Sequence, residues 1–530
     1  MAYMTGGQIL MKTLYSEGVR VIFGLPGVQL YHAMDALYDE AGIQFITTRH
    51  EQAAAYMADG YARASGDTGT TLVVPGPGLL NASAAIGTAY ASSSPVLIIS
   101  GQIPKDLIGL NRGVLHEVDD QIEAIRQVTK WAQRILDPAN IPEIVHEAFH
   151  KLRTGRPRPV ELEIPPETLA ETANVVIPST WEYFRPAANL ERIFEGARIL
   201  TSASNLLIWA GGGVISSGAS DILTKVAEHL QSPVICTPEG KGAISDRHYL
   251  AAGVAIGHGS DQLSQHDVIL AIGTRLATTS LRDTQQVVQI DVDGEEIGRN
   301  YPNTLGLLGD ARRTLEAMLP MLEANTSQRP SRQTEMEMLR SERDKIIREI
   351  QPQNSFTTAI RSAIPENGIL VADMTQIGYH SRVGYPVYEP GTYMTSSYFG
   401  NLGYAFPTAL GAKVAKPFRS VVAVCGDGGF LFNSQELATA VQHGINIVVI
   451  VFNDNAYGNV LRDQIERFNG RSIGAKLHNP DFVKLAEAYG ASGVRVKEAS
   501  QLESALRKAL SDNMPTLIEV PVEMMPPPFR

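Results

Sequence analysis

Short apolar runs alternate with longer amphipathic stretches along the whole chain, and the runs break on glycine or proline. VRVIFGLPG (Val19 to Gly27), TTLVVPGPG (Thr70 to Gly78), SPVLIISGQIP (Ser94 to Pro104) and PRPVELEIP (Pro157 to Pro165) mark a first segment. A polar, proline-rich link around Pro178 to Pro186 leads to a second, with NLLIWAGGGV (Asn205 to Val214), SPVICTPEGKG, DVILAIGTRL and QVVQIDVD. A stretch rich in Glu, Arg and Ser, from Met318 to Gln353, predicts a charged helix and linker. The third segment starts near Gly368 with ILVADMTQ and runs to ASGVRV and TLIEVPV. Apolar strands alternating with amphipathic helices are the pattern of parallel α/β sheets. We therefore expect three doubly wound parallel-sheet domains, over residues 1–175, 188–325 and 350–530. The first and third segments match in size and style, which suggests a duplicated architecture without any short-period repeat. Open α/β sheets bind ligands at the carboxyl ends of their strands, where these glycines and prolines lie.

Composition narrows the function more than the fold. A chain of 530 residues is too long for one hydrophobic core. The formal net charge of −11 argues against non-specific nucleic-acid binding and against an anionic membrane surface. No apolar segment approaches the roughly 20 residues of a membrane span. The N-terminus lacks the apolar core and small-residue cleavage site of a signal peptide. Two cysteines, Cys236 and Cys425, suit a reducing compartment. The expectation is a cytoplasmic protein with neither nucleic-acid nor membrane partners.

Chemistry enters with SVVAVCGDGGF, Ser420 to Phe430, an apolar strand that breaks into Gly-Asp-Gly-Gly ahead of the helix candidate SQELATAVQHG. Gly426, Gly428 and Gly429 let the backbone turn tightly and offer N–H groups to an anion, and Asp427 among them is a hard oxygen ligand. The next strand, INIVVIVFN, delivers Asn453 and Asp454 to the same sheet edge. Two carboxylates beside backbone carbonyls and amides make a Mg²⁺ site that also receives a diphosphate. A lone Gly-Asp-Gly is usually an ordinary turn; the second polar cluster, arriving after one helix and one strand, shifts the balance.

The pair GDGGF and FNDNA resembles the diphosphate-binding signature of thiamine-diphosphate (ThDP) enzymes. The resemblance implies that Asp427 and Asp454 give side-chain ligands to Mg²⁺ and Ala456 a backbone carbonyl, with Tyr457 and Gly458 beside the diphosphate. Relatives most often carry asparagine at position 454, so this chain adds a negative charge there. ThDP chemistry also requires a carboxyl group at the aminopyrimidine ring, in an apolar setting that keeps it partly protonated. RHEQAAAYMADGYARASG closely resembles the helix of acetolactate synthase-like enzymes that carries this acid, which is Glu51 here. Its alanines allow close approach of another subunit or of a flat ligand. In SSYFGNLGYAFPTALGAKVA, Leu402 occupies the position of the side chain over which the cofactor folds, and the Gly400 carbonyl that of an aminopyrimidine contact. Pro26, Val74 and Asn81, together with Thr375 and Gln376 at the end of ILVADM, complete the cofactor candidates. The implied architecture is a pyrimidine-binding domain, a central domain and a diphosphate-binding domain. Relatives pair the first and third across a subunit interface, so a homodimer or homotetramer is expected.

IFGLPG, GPGLLN and GQIP extend the likeness to acetolactate synthases. Three departures concern the substrate. His116 stands in Leu115-His116-Glu117 where those enzymes carry Phe-Gln-Glu, the tryptophan after the metal cluster is missing, and Val28 and Gln29 replace small residues. His116 is a proton-shuttle candidate, or else a solvated loop histidine; Gln29 and His32 are lesser candidates. The expected activity is decarboxylation of a 2-oxo acid or cleavage of an acyloin-type bond, with transfer of the acyl unit to a carbonyl. The alternatives are a 2-hydroxyacyl-CoA lyase or oxalyl-CoA decarboxylase-like activity, and a non-catalytic partner subunit. In the central domain IGTRLATTSLRD keeps Arg275 but lacks the acidic pair that helps hold FAD, and AGGGV is a nucleotide signal or a packing turn. FAD, an acyl-CoA moiety and an empty site stay open. The tail VEMMPPPFR cannot form regular structure; it lies across an active-site mouth or frays.

Overall fold

The computed structural model describes residues 2–180, 183–255, 265–277 and 281–529. The chain divides into two compact units, one of Met1–Tyr183, Ser396–Lys497 and Ala505–Met524, the other of Phe184–Thr395, Glu498–Ser504 and Met525–Arg530.

The first unit begins with β1 (Ala2–Thr5), β2 (Val21–Gly24), β3 (Gln44–Thr47), β4 (Gly69–Val73), β5 (Val96–Gly101), β6 (Trp131–Arg134), β7 (Val160–Ile164) and β8 (Thr172–Val175). Six of them form a sheet in the order β3-β2-β4-β5-β7-β6, parallel throughout; β1 and β8 form a separate antiparallel ladder. Every residue of β4, β5 and β7 is buried, as strands covered on both faces must be. Two of those buried residues are Glu161 and Glu163.

In the second unit β9 (Leu206–Ala210), β10 (Val234–Cys236), β11 (Ala251–Val254), β12 (Val268–Ile272), β13 (Gln286–Asp291) and β14 (Thr304–Leu308) run parallel in the order β11-β10-β9-β12-β13-β14. Leu206, Ile208 and Ala210 of β9 pack into one apolar core while Leu207 and Trp209 pack into another. The sheet is therefore covered on both faces, and its strand order reverses between β9 and β12. Next come β15 (Ile369–Ala372) and β16 (Tyr393–Thr395), a parallel pair. The charged stretch folds as the helices Ala311–Asn325, Gln333–Arg348 and Gln353–Ala363. The end of the tail is docked: Met525 is buried, and Gln353 Nε2 donates to the Pro526 carbonyl at 2.6 Å.

Back in the first unit, β17 (Val421–Gly426), β18 (Val448–Asn453), β19 (Ser492–Arg495) and β20 (Thr516–Pro521) run parallel in the order β17-β18-β20-β19. This order repeats β4-β5-β7-β6, and the pair β16-β15 repeats β3-β2. The duplicated plan suggested by the hydrophobic pattern is thus a plan of strands, and the fold is α/β with three doubly wound parallel sheets.

The two halves of the first unit meet along the helices Glu51–Ser65 and Ala405–Ala415. A Cβ on Gly60 would collide with the carbonyl oxygen of Thr408, and one on Gly411 with the carbonyl oxygen of Met57. Each glycine lets the opposite backbone come to contact distance, with Ala53, Ala54, Ala55 and Ala58 buried alongside. Small residues of the Glu51 helix therefore serve contact with another helix of the same chain.

Candidate active site

Glu51 opens its helix directly after β3. The ring Nδ1 of His50 caps the helix by accepting from the N–H of Gln52, and Gly66, at φ 84°, ends it. The helix start favours a carboxylate. Asn81 Nδ2 donates to Glu51 Oε2 at 3.0 Å. Val74, at the end of β4, occupies the space left by two glycines: a Cβ on Gly27 would strike its Cγ1, and one on Gly78 would lie 2.7 Å from its Cγ2 and 3.6 Å from Glu51 Oε1. Glu51, Val74 and Asn81 thus come together at the strand ends, an acid with one amide donor beside an aliphatic wall. Pro26 lies exposed on the neighbouring loop.

The loop of His116 is tied to the same edge. Gln29 Oε1 lies 3.1 Å from His116 Nδ1, and Gln29 Nε2 donates to the Leu115 carbonyl at 3.4 Å. His116 has φ 69°, a strained left-handed conformation for a non-glycine residue. The Glu117 carboxylate holds the loop by accepting from the N–H groups of Arg112, Gly113 and Val114, and these hydrogen bonds hold its pKa below the usual carboxylate value. The His116 carbonyl presses on Gly76, where a Cβ would meet it. Gly76 is pinned from below as well: its N–H donates to Gln121 Oε1 at 2.7 Å, and Gln121 Nε2 donates to Ser100 Oγ, the Gly101 carbonyl and Glu163 Oε2. Glu163 is paired with Arg134 and accepts from Gln102 Nε2 at 2.8 Å. Glu161, which accepts from Ser100 Oγ at 2.5 Å, is held well above the usual carboxylate range, first by burial and then by the Glu163 charge. Sequence reasoning missed this network. Its trace was two acids inside the apolar run PRPVELEIP.

The second half of the site lies at the ends of β17 and β18. Asp427 is buried and begins a short helix, Asp427–Phe430. This corrects the expectation of a glycine turn: Gly426 is extended at φ −86°, and Gly428 and Gly429 are helical. Gly428 is there for room, since a Cβ would lie 2.6 Å from the Tyr457 ring and 3.1 Å from Leu477. Gly458 likewise leaves space for an Asp454 carboxylate oxygen. Burial raises the Asp427 carboxyl; Asp454 is pushed up to about 6, first by burial and then by the charge of Asp427. Asn479, absent from our sequence reading, donates from one amide nitrogen to Asp427 Oδ2 at 2.6 Å and Asn453 Oδ1 at 2.9 Å. Asn453 Nδ2 donates in turn to Glu519 Oε1 at 2.9 Å, and Arg495 balances Glu519. A bridge between Ala456 and Lys476, with Tyr457 N–H donating to the Ala475 carbonyl, holds the second loop in place. The only sequence signal for Asn479 was an Asn-Pro turn after the metal cluster.

Among the described residues no hydrogen bond or ion pair joins Glu51 to the Asp427 cluster. What the first unit does join is their supports. Arg49 N–H donates to both oxygens of Glu436, Thr47 N–H to His443 Nε2, and Asn433 Nδ2 to Gln52 Oε1. Asn401 donates to Tyr56 Oη and accepts from Thr88 Oγ1 at 2.7 Å, which fixes the segment of Gly400 (φ 65°) and the half-buried Leu402. Thr375 lies in the second unit and uses its side chain to cap the helix Gln376–Gly384.

Glu436 carries a testable consequence. Burial pushes its carboxyl up to about 7, against 4.5 as the ordinary value. A carboxyl that holds its proton more tightly when folded contributes stability below pH 4.5 and loses it as pH rises through 7. The loss amounts to roughly 3 kcal/mol at most. Melting temperature measured between pH 4.5 and 8 should fall with pH in the wild type, and the slope should flatten in Glu436→Gln.

Models of known families cover all three domains. Those described as thiamine pyrophosphate enzyme, N-terminal TPP binding domain, central domain and C-terminal TPP binding domain match residues 4–124, 194–318 and 373–520. The chain is 34% identical to the probable acetolactate synthase large subunit of Methanocaldococcus jannaschii, over 99% of its own length and 93% of that protein. It is 33% identical to the probable 2-ketoarginine decarboxylase of Pseudomonas aeruginosa, over 98% and 94%. It is 32% identical to the acetolactate synthase isozyme 3 large subunit of Escherichia coli, over 99% and 96%. Likeness of this extent spans both half-sites and the domain between them, and the chain belongs to the thiamine-diphosphate-dependent enzymes, as a member of their acetolactate synthase-like family.

Proposed function

We propose that this enzyme binds ThDP through Mg²⁺ and decarboxylates a small or moderately hydrophobic 2-oxo acid, passing the acyl unit to a carbonyl acceptor or to a proton. The observation that carries the reading is the pair Asp427 and Asp454. Two carboxylates raised by burial, Asp454 also by the charge of Asp427, have no ion-pair partner among the described residues, a donor set that fits a hard cation. Among those residues no cluster of three His, Cys, Asp or Glu side chains could hold a metal. In this reading backbone oxygens such as that of Ala456, and phosphate oxygens, complete the set, as Mg²⁺ prefers. Gly426, Gly428, Gly429, Tyr457 and Gly458 line the diphosphate. Gly400 and Leu402 hold the rings, and Pro26, Val74 and Asn81 surround the end where Glu51 acts. Bound ThDP supplies the nucleophilic carbon that adds to the substrate carbonyl and stores the electron pair left when CO₂ departs. Glu51 holds the proton at the aminopyrimidine; His116 moves a proton to and from the substrate oxygen.

The relatives' names, acetolactate synthase and 2-ketoarginine decarboxylase, support 2-oxo acid chemistry over the acyl-CoA lyase alternative, and an intact Glu51 and Asp427 speak against a non-catalytic subunit. Incubation with ThDP, Mg²⁺ and a panel of 2-oxo acids should release CO₂ and give 2-hydroxyketone products. Turnover of acyl-CoA substrates alone would overturn the reading. Asn479→Ala should weaken Mn²⁺ binding, read by electron paramagnetic resonance, by about 10–100-fold, because the amide that orients Asp427 is gone.

The relatives' description as acetolactate synthase large subunits supports an assembled enzyme, read here as a homodimer or homotetramer in which each site takes one half from each subunit. Two buried free cysteines suit a cytoplasmic enzyme. Among the described residues no helix is long and apolar enough to cross a membrane. Domain limits of 1–175, 188–325 and 350–530 contain the matched stretches. For FAD, the strand order around β9 and β12 is the supporting feature, being that of dinucleotide-binding sheets. The glycine turn itself is explained by packing, since a Cβ on Gly211 or Gly213 would collide with Gly273. Half-buried Arg275 remains a candidate contact; Thr278 to Ser280, in the same stretch, lie outside the described residues. The visible spectrum of the purified protein tests for FAD directly.

A further inference from the structure

Gln29 is buried, 6% exposed, inside the short turn Val28–Leu30. Its amide reaches the loop of His116 at two points, and the two contacts constrain each other. The Leu115 carbonyl oxygen can only accept, so the amide group facing it at 3.4 Å must be the NH₂. The amide oxygen is then the atom 3.1 Å from His116 Nδ1. That oxygen can also only accept, so the hydrogen must sit on Nδ1. Turning the amide over would set two carbonyl oxygens against each other.

We infer that Gln29 fixes neutral His116 as the Nδ1–H tautomer and leaves Nε2 as its free base, which makes Gln29 a positioning residue for proton transfer. The inference rests on the proposed reaction for its use, not for its geometry. The backbone around the ring is held independently of Gln29. Glu117 gathers three N–H groups of the loop, and the His116 carbonyl rests on Gly76, itself bonded to Gln121. With the main chain set in this way, one amide suffices to select the tautomer. In the proposed reaction Nε2 takes the proton of a substrate hydroxyl, giving an imidazolium whose Nδ1–H stays on Gln29. It returns that proton to the oxygen of the acceptor carbonyl, which becomes the product's hydroxyl as the new C–C bond forms. The amide oxygen satisfies Nδ1–H throughout. Gln29 itself never exchanges a proton.

The test is long-range ¹H–¹⁵N correlation spectroscopy on protein labelled at histidine, at alkaline pH, with the His116 signals assigned by loss in His116→Asn. The expected wild-type result is hydrogen on Nδ1. Gln29→Leu should move the hydrogen wholly or partly to Nε2. Gln29→Glu, which keeps an accepting oxygen in place, should retain Nδ1–H. Hydrogen on Nε2 in the wild type overturns the inference, as does an unchanged tautomer in Gln29→Leu. The wild-type spectrum decides even if Gln29→Leu fails to fold. In turnover, Gln29→Leu should lower kcat by roughly 10²-fold with little change in KM, and Gln29→Glu should recover most of it. The spectra need no substrate, so an enzyme that turns over none of the 2-oxo acids would end the proposed function while leaving the tautomer assignment standing.

Discussion

Replacing Glu51 by glutamine is expected to lower kcat by about 10²- to 10⁴-fold, the range that a positioned acid or base contributes, with ThDP and Mg²⁺ still bound. The change is nearly isosteric. Asn81 Nδ2, which donates to Glu51 Oε2 at 3.0 Å, can donate to the glutamine oxygen in the same way. The helix keeps its His50 cap and its packing. What the amide cannot do is carry the proton that the aminopyrimidine must exchange. Val74, seated between Gly27 and Gly78, leaves the group one aliphatic wall, and Asn81 supplies no proton of its own. Calorimetric titration with ThDP separates the two effects: near wild-type affinity with lost turnover supports the role. Unchanged turnover would remove Glu51 from the mechanism and the proposed chemistry with it.

The second large effect concerns the frame. Gly411→Ala should destabilise the first unit by about 3 kcal/mol, the upper end for overpacking, seen as a lower melting temperature and less soluble protein. The new methyl group would run into the carbonyl of Met57, and backbone cannot turn aside as a flexible side chain can. Gly60→Ala makes the reciprocal collision, with the carbonyl of Thr408. Both variants push the same two helices apart, so the double variant should cost less than the sum of the single ones. A Gly411→Ala protein as stable as the wild type would show that the helices need not approach so closely. Cofactor binding should weaken along with stability. The Glu51 helix and the segment of Gly400 and Leu402, which precedes the helix Ala405–Ala415, move with that pair.

The parts legible in the amino-acid sequence share one property: each is local. Strand runs ending in glycine or proline predicted three parallel sheets, because a strand buried on both faces must be apolar along its length. The helix from Glu51 was readable from its alanine-rich early turns and from the likeness of that stretch to a known helix. Gly-Asp-Gly and Asn-Asp-Asn stood out because polar clusters directly after buried strands fall at the sheet edge that binds ligands. The likeness to acetolactate synthases turned those clusters into named roles.

What only the tertiary structure decided is how those local pieces are held. Arg49 and Glu436 are 387 positions apart, and no periodicity links them. Asn479 meets Asp427 across 52 positions through a side-chain amide that looks like any other loop asparagine in one dimension. Gln121 and Glu163 appear as a polar residue and a misplaced acid until β5, β6 and β7 stand side by side beneath Gly76. The glycines show the division most plainly. Gly428, read as the hinge of a tight turn, is helical and makes room for Tyr457; Gly60 and Gly411, unmarked in the sequence, set the distance between two helices. Hydrophobic period and strand punctuation are fixed by each residue's neighbours along the chain. The orientation of a carboxylate or an amide, and the space beside a Cα, depend on atoms brought close only when the sheets assemble.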